Sequence, residues 1–282
     1  MVNNKIKFRK MKTFKTIKLY FPLLLGLLIL VNLSVYSQIN DTVMVTVPAG
    51  EFQMGCNPAT DPVCEYIPEE KLHTVYLDEY RIDKYEVTFQ RLQKCIDAGG
   101  CQELEGGGMF NYGWEGNDLL PVNGINWYAA KTFCEWEGKR LPTEAEWEKA
   151  ARGTDLRTFP WGFEEPTCEY AVMDTMYAGN LGCGTGNVMN VGSKPMGASP
   201  YGAMDMAGNV WEWTADWHDE NYYYESPYEN PQGPETGQYR VTRGGDLFSR
   251  QGFELRVTGR FPYYPSNPSP AIGFRCAKSV SK

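Results

Sequence analysis

Only two histidines, His73 and His218, occur in 282 residues, and no cysteine occurs between Cys183 and Cys276. Two imidazoles cannot supply a three-histidine iron site, so each reads as a surface or hydrogen-bonding residue. No Ser/His/Asp nucleophile motif and no Walker-type phosphate loop is visible. Internal repeats, low-complexity tracts and interdomain linkers are missing too. Carboxylate pairs such as Glu164/Glu165 and Asp219/Glu220 read as solvated faces and give no support to a glycosidase. Basic charge is scarce beyond residue 37. The first 37 residues hold seven of the 27 Lys and Arg and none of the 35 Asp and Glu, which leaves a net charge of −15 on the rest. So acidic a surface excludes nucleic acid and anionic membranes as partners and is compatible with cations.

The early bases have a purpose. Lys5 to Lys18 form a basic start, Phe21 to Leu33 an apolar run, and Ser34, Ser37 and Gln38 a small, polar exit. That is the pattern of a secretory signal, residues 1–37, with cleavage near Ser37–Gln38. Met11 to Tyr36 would be a complete signal by itself. The apolar run is shorter than the ~20 residues of a spanning helix, so no transmembrane span is expected after cleavage. The expected product is an exported protein, periplasmic, cell-surface or secreted, folded as one domain over 38–282.

Eight cysteines, all beyond the signal, read as a disulfide framework in such a compartment. Eight allow 105 connectivities. Proximity suggests Cys56–Cys64, Cys95–Cys101 and Cys168–Cys183, which leaves Cys134 and Cys276 as a long-range staple. Val43 to Met54 alternates like a strand pair turning at Pro48-Ala49-Gly50, and Val75 to Ile82 alternates as well. Thr88 predicts a helix to about Ala98. Asn126 to Glu137 predicts a second, and the Thr143-x-x-Glu146 capping box a third. Residues 153 to 202 read mostly as loop. Strands are predicted over Val210 to Trp217, Tyr239 to Arg243 and Ile272 to Ala277, with a proline-punctuated tail between Phe261 and Pro270. Few helices, short irregular strands and long loops indicate an α+β fold.

The ordered landmarks are more specific than any of these elements. They are Val47-Pro-Ala-Gly-Glu-Phe-Gln-Met-Gly55, Asp83-Lys-Tyr-Glu-Val-Thr88, Pro121-Val-Asn-Gly-Ile-Asn-Trp127 and Gly138-Lys-Arg-Leu-Pro-Thr-Glu-Ala-Glu-Trp147. Phe159-Pro-Trp-Gly162, Tyr201-Gly-Ala-Met-Asp-Met-Ala-Gly-Asn-Val-Trp-Glu-Trp213, Arg243-Gly-Gly245 and Gly273-Phe-Arg-Cys-Ala277 follow. From about Val43 to Ala277 the chain resembles the formylglycine-generating enzyme (sulfatase-modifying factor) family. The resemblance implies a single loop-rich α+β domain related to the C-type lectin fold. It also implies an oxidase that converts a sulfatase cysteine to formylglycine with oxygen and Cu(I), held by two thiolates five residues apart. Soft thiolates suit Cu(I), and hard oxygens do not.

Counted from Gly245, the matching positions are Ser249 and Glu254, and residues 184–275 contain no cysteine to replace them. Copper is therefore not expected. Cys276 matches a structural half-cystine that pairs back to the helix carrying Cys134. A further family disulfide is missing at both positions, Ala151 and Gly259. One family calcium site carries over onto Asp205, Gly208, Val210 and Glu212, oxygen donors of the kind that suit Ca²⁺. The other does not, since Val172 and Cys183 lack suitable side chains. Arg250, Arg256 and Arg260 flank Ser249 and mark a C-terminal cleft for a protein, peptide or glycan ligand. Tyrosines of the Tyr222–Tyr228 stretch and Phe261-Pro-Tyr-Tyr264 could serve similar contacts. The expected function is that of a binding or scaffold protein. The alternatives are the family oxidase itself, or another enzyme using the Ser249/Glu254 region.

Overall fold

A computed structural model describes residues 40–59, 61–67, 70–104, 116, 118–175, 180–250 and 252–280. The expected signal, residues 1–37, lies outside the described residues. The unit Asp41–Lys282 contains, in order, β1 (Met44–Val47), β2 (Gly50–Met54), β3 (His73–Leu77), β4 (Tyr80–Asp83) and α1 (Phe89–Asp97). Next come α2 (Trp127–Trp136), α3 (Glu144–Arg152), β5 (Trp211–Trp217), the single-turn α4 (Tyr222–Glu225) and β6 (Arg240–Arg243). β7 (Arg260–Tyr263), β8 (Ile272–Phe274) and β9 (Ala277–Ser279) complete the order. Among the described residues three small sheets form, ordered β1-β4-β9, β2-β3 and β7-β6-β5-β8. Among these named strands the pairings are antiparallel except β5 with β8. The fold is α+β and loop-rich.

The helices start at their caps. Thr88 accepts from Arg91 N, Asn126 from Ala129 N, and Thr143 and Glu146 exchange the two bonds of a capping box at 2.9 and 3.1 Å. The strands depart from the sequence reading in four places. β1 and β2 do not form a hairpin with each other. Lys149 Nζ takes the carbonyls of Pro48 and Gly50 at 2.9 and 2.8 Å, so the turn docks on α3, and each strand finds a distant partner. Val75 to Ile82 breaks at Asp78, whose N–H donates to Asn230 Oδ1, and the two halves join different sheets. Ile272 to Ala277 likewise divides into β8 and β9, and the start of the proline-punctuated tail is strand β7.

α3 is buried along all nine residues, although five of them are charged. Each charge is answered. Glu144 takes both forks of Arg260 at 2.9 Å, and Glu146 pairs with Arg140 at 2.6 Å. Glu148 receives Arg152, Arg243 and the Gly55 N–H. Arg152 also donates to the carbonyls of Gln53 and Gly55. Buried charges are tolerated when they are paired, so this helix acts as an ionic hub tying the β2-β3 sheet to β6 and β7.

Four disulfides close: Cys56–Cys64, Cys95–Cys101, Cys134–Cys276 and Cys168–Cys183. No cysteine of the chain is left as a free thiol. The Cys134–Cys276 bond fastens α2 to the link between β8 and β9, inside a core of Leu92, Phe133, Trp213 and Phe274. Such a framework belongs to an oxidising extracellular or periplasmic compartment. Among the described residues no helix is long and apolar enough to cross a membrane.

Candidate functional site

The chain leaves β6 through Gly244 and Gly245, both at positive φ (97° and 74°). A Cβ on Gly245 would stand 2.9 Å from Leu255 and 3.0 Å from Ser249 Oγ and Glu254 O. Only glycine combines that φ with that approach. The turn that follows closes on itself. Asp246 N donates to Ser249 Oγ, and Ser249 Oγ donates to Asp246 Oδ1, both at 3.0 Å. The Phe248 N–H donates to the same Oδ1. Ser249 is 1% exposed, so its hydroxyl is a turn fastener rather than a nucleophile facing a ligand. Glu254 is exposed and borders a hollow of about 440 Å³ with Phe248, Arg250 and Phe253. Phe248 and Phe253 are 48% and 53% exposed.

The three arginines expected around this cleft divide. Arg250 is at the surface, 3.3 Å from Asp174. Arg256 and Arg260 are buried and do not line a cleft. Arg256 reaches Asp61 at 3.2 Å and Glu70 at 3.1 Å, and Arg260 is the partner of Glu144. A guanidinium stays inside when a carboxylate from another element meets it there. Of the tyrosine stretch, Tyr223 is buried, Tyr224 lies under Lys71 Nζ at 4.5 Å, and Tyr228 donates to Glu51. Those rings therefore belong partly to packing. Positions Ala151 and Gly259 are both buried.

Burial, helped by the charge of Glu254, pushes the Asp246 carboxyl up to about 6 against the hydrogen bonds from Ser249 and Phe248. Its folded pKa lies above the unfolded value near 4, so the stability it lends is complete below about pH 4 and is lost as pH rises through 6. Asp246→Asn keeps the accepting oxygen and removes the charge. Its melting temperature is expected to match wild type near pH 4 and to exceed it increasingly towards pH 7, by up to about 3 kcal/mol in stability. A difference that does not change across pH 4–7 in parallel thermal melts would refute this.

A second cluster lies where the calcium residues were expected. Asp205 is buried at φ 58°, and its Oδ2 accepts from Gly192 N at 2.6 Å. Gly208 and Val210 are buried, and a Cβ on Gly208 would sit 2.4 Å from the Val172 carbonyl. Both oxygens of Glu212 are engaged, by Arg275 at 2.6 and 2.7 Å and by Trp147 Nε1 at 2.8 Å. Arg275 also donates to the carbonyls of Asp83, Lys84 and Met204, which draws the segment before Glu86 and the one before Asp205 together.

Glu86 belongs to this cluster and was not legible in the sequence. Its Oε2 accepts from Asn209 Nδ2 at 2.8 Å, and its buried Oε1 has no partner. Burial first, then the charges of Asp205 and Glu212, push its carboxyl well above the usual range. The sequence showed it only as the acid of the Asp83-Lys-Tyr-Glu-Val-Thr88 landmark, two residues before the buried cap Thr88. Three buried carboxylates thus surround a single guanidinium, with half-buried Lys194 adding a weaker pull on Asp205. Hard oxygens with a deficit of positive charge and one unsatisfied acceptor are a donor set that fits a hard cation.

Residues 34–280 match the family described as the sulfatase-modifying factor enzyme 1-like domain. A formylglycine-generating enzyme of Thermomonospora curvata is 32% identical over 291 residues, covering 83% of this chain and 92% of that protein. A serine/threonine-protein kinase pkn1 of Chlamydia caviae is 34% identical over 260 residues, covering 85% of this chain. This chain spans only 38% of that kinase-named relative's length. The solved structure of PvdO from Pseudomonas aeruginosa superposes with a TM-score of 0.69 at 27% identity, covering 84% of this chain and 94% of that one. The motifs, the sheets and these similarities agree, and the chain belongs to the sulfatase-modifying factor enzyme 1-like family.

Proposed function

We propose that this chain is an exported, non-catalytic binding or scaffold protein on the formylglycine-generating-enzyme fold. One observation carries the reading: all eight cysteines are spent in disulfides, so no thiolate is left to hold Cu(I). The positions matching the copper ligands are a buried turn serine, Ser249, and an exposed acid, Glu254. The turn holds the two exposed phenylalanines, Arg250 and Glu254 on one face, which is the surface offered to a peptide or glycan partner. Aromatic side chains rimmed by polar ones are the usual composition of such contacts. A different chemistry centred on Ser249 is disfavoured, since its hydroxyl is buried and already engaged.

In the same reading, the Asp205–Glu212 segment holds a structural calcium ion, with side-chain oxygen from Asp205 and backbone carbonyls from Gly208 and Val210. When bound, the ion would supply positive charge to a carboxylate-rich core and nothing to redox chemistry.

The test is direct. Purified protein loaded with Cu(I) is incubated with oxygen and a Cys-x-Pro-x-Arg peptide, and the product is read by mass spectrometry. The peptide is expected back with its cysteine sulfur in place, beside a formylglycine-generating enzyme that converts it. Formylglycine formed by this chain would overturn the reading.

A further inference from the structure

We infer that Arg240, at the start of β6, forms a further ligand site, one that takes the carboxylate of a single acidic sugar residue, a hexuronate. The site depends on neither the calcium nor the loop-tip reading. Arg240 lies opposite Trp217, whereas Arg243, which leads into Gly244 and Gly245, lies opposite Glu212. The site is therefore at the other end of β5 from the glycine turn. Every other arginine of the described residues that is not exposed meets a carboxylate at 3.1 Å or closer. Arg240 is half-buried, yet no carboxylate of the described residues pairs with it. Asp216, the acid whose charge acts on it, is buried and accepts instead from the Glu144 N–H at 2.7 Å. Burial pulls the guanidinium down to about 10, and the charge of Asp216 offsets only part of that.

The guanidinium is held in place. Its carbon lies 3.8 Å from the ring centre of Trp127 and 3.5 Å from that of Trp217. Two rings so close to one carbon cannot share a side, so the guanidinium is clamped between them, stacked as arginine stacks on aromatic faces. The clamp is fixed in turn. Trp127 Nε1 donates to the Thr214 carbonyl at 2.7 Å, and a Cβ on Gly237 would stand 2.9 Å from the Trp217 Cβ. Nη1 is taken by the Ala215 carbonyl. What remains is the edge formed by Nε and Nη2, and the buried Nε has no partner. The same edge of Arg91, Arg260 and Arg275 takes both oxygens of one carboxylate, from Glu137, Glu144 and Glu212 respectively. That fork matches a carboxylate in shape and charge.

The surroundings favour a sugar acid over an acidic peptide. A peptide that recognises a sheet adds to an open strand edge, and β6 is paired on both sides here, with Trp217 and with Tyr263. Tyr128 follows Trp127 in the chain, is 52% exposed, and its phenol acts on the Arg240 charge. An exposed aromatic face beside a cation suits a pyranose that carries one carboxylate. A polyanionic glycan would be repelled by so acidic a chain.

The experiment titrates methyl glucuronide into the full chain, followed by tryptophan fluorescence and ligand-observed NMR. Methyl glucoside, acetate and N-acetylglutamate amide are titrated alongside. Wild type is expected to bind the glucuronide, and the neutral glucoside about tenfold more weakly, as loss of a charge-assisted hydrogen bond requires. Acetate and N-acetylglutamate amide should also bind more weakly than the glucuronide. Arg240→Lys keeps the charge and loses the fork, and should weaken the glucuronide by about tenfold. Should that variant fail to fold, Tyr128→Ala, at an exposed position, is expected to weaken the glucuronide about threefold and leave acetate unchanged. Melting temperatures establish that each variant is folded. No binding of the glucuronide, binding equal to that of the glucoside, or undiminished affinity in a folded Arg240→Lys or Tyr128→Ala would overturn the site. Tighter binding of N-acetylglutamate amide or acetate than of the glucuronide would overturn the sugar assignment.

Discussion

Replacing Glu148 by alanine is expected to remove about 3–5 kcal/mol of stability, the loss found when one partner of a buried ion pair is deleted. Glu148 is fully buried, and its two oxygens receive Arg152 at 2.8 Å, Arg243 at 2.6 Å and the Gly55 N–H at 2.8 Å. Alanine leaves two guanidinium groups in the interior with less compensation. Arg243 retains the carbonyls of Val257 and Thr258 and a longer 3.4 Å approach to Glu144, while Arg152 retains Gln53 and Gly55. For a domain of this size the loss corresponds to roughly 10 °C in melting temperature. Asp155, exposed and paired with Arg157 at 2.6 Å, is the control: Asp155→Ala should change stability by less than about 1 kcal/mol. Urea unfolding of both variants decides. Equal, small losses would mean that the hub around α3 does not hold the domain together.

The second large effect concerns the staple. Removing Cys134–Cys276 with two alanines should be much more damaging than removing Cys95–Cys101 in the same way. The separations are 142 and 6 residues, and the loop-closure model gives about 5 kcal/mol for the first and about 2 kcal/mol for the second. The long bond also sits between α2 and the β8–β9 link, so its loss releases two elements of one core. Melts of both double variants under non-reducing conditions provide the comparison. If the short-loop variant were as unstable as the long-loop one, unfolded-chain entropy would not be the main contribution of the staple.

Helix starts were legible because their signals are local. Thr88, Asn126 and Thr143 each sit one residue before their helix and satisfy its first amides, whatever the rest of the chain does. The order of motifs carried the fold for a different reason: many modest matches in sequence admit one topology. Strand partners were less legible. Pro48-Ala49-Gly50 looks like a hairpin turn, yet Lys149, a hundred residues away, binds its carbonyls. Arginine direction was hidden for the same reason. Nothing near Arg256 or Arg260 announces that Asp61, Glu70 and Glu144 will meet them inside. Glu86 was hidden more completely, because its meaning is an oxygen without a partner, which exists only once Asn209, Asp205 and Arg275 are in place.

The loop after β6 has one more consequence. Arg243 at its start and Arg256 and Arg260 at its end are buried in ion pairs, and Gly245 fixes the tight passage between them. Of the residues at the tip, Phe248, Arg250 and Glu254 make none of these buried ion pairs, and Phe253 meets the framework only through its contact with Arg256. Substitutions of Phe248, Arg250 and Glu254 break none of these buried pairs, so this is the stretch along which descendants of the gene can diverge in partner choice without first losing the fold. Enzymes that keep a copper pair in this loop do not have that freedom, because two of its positions are fixed by the metal.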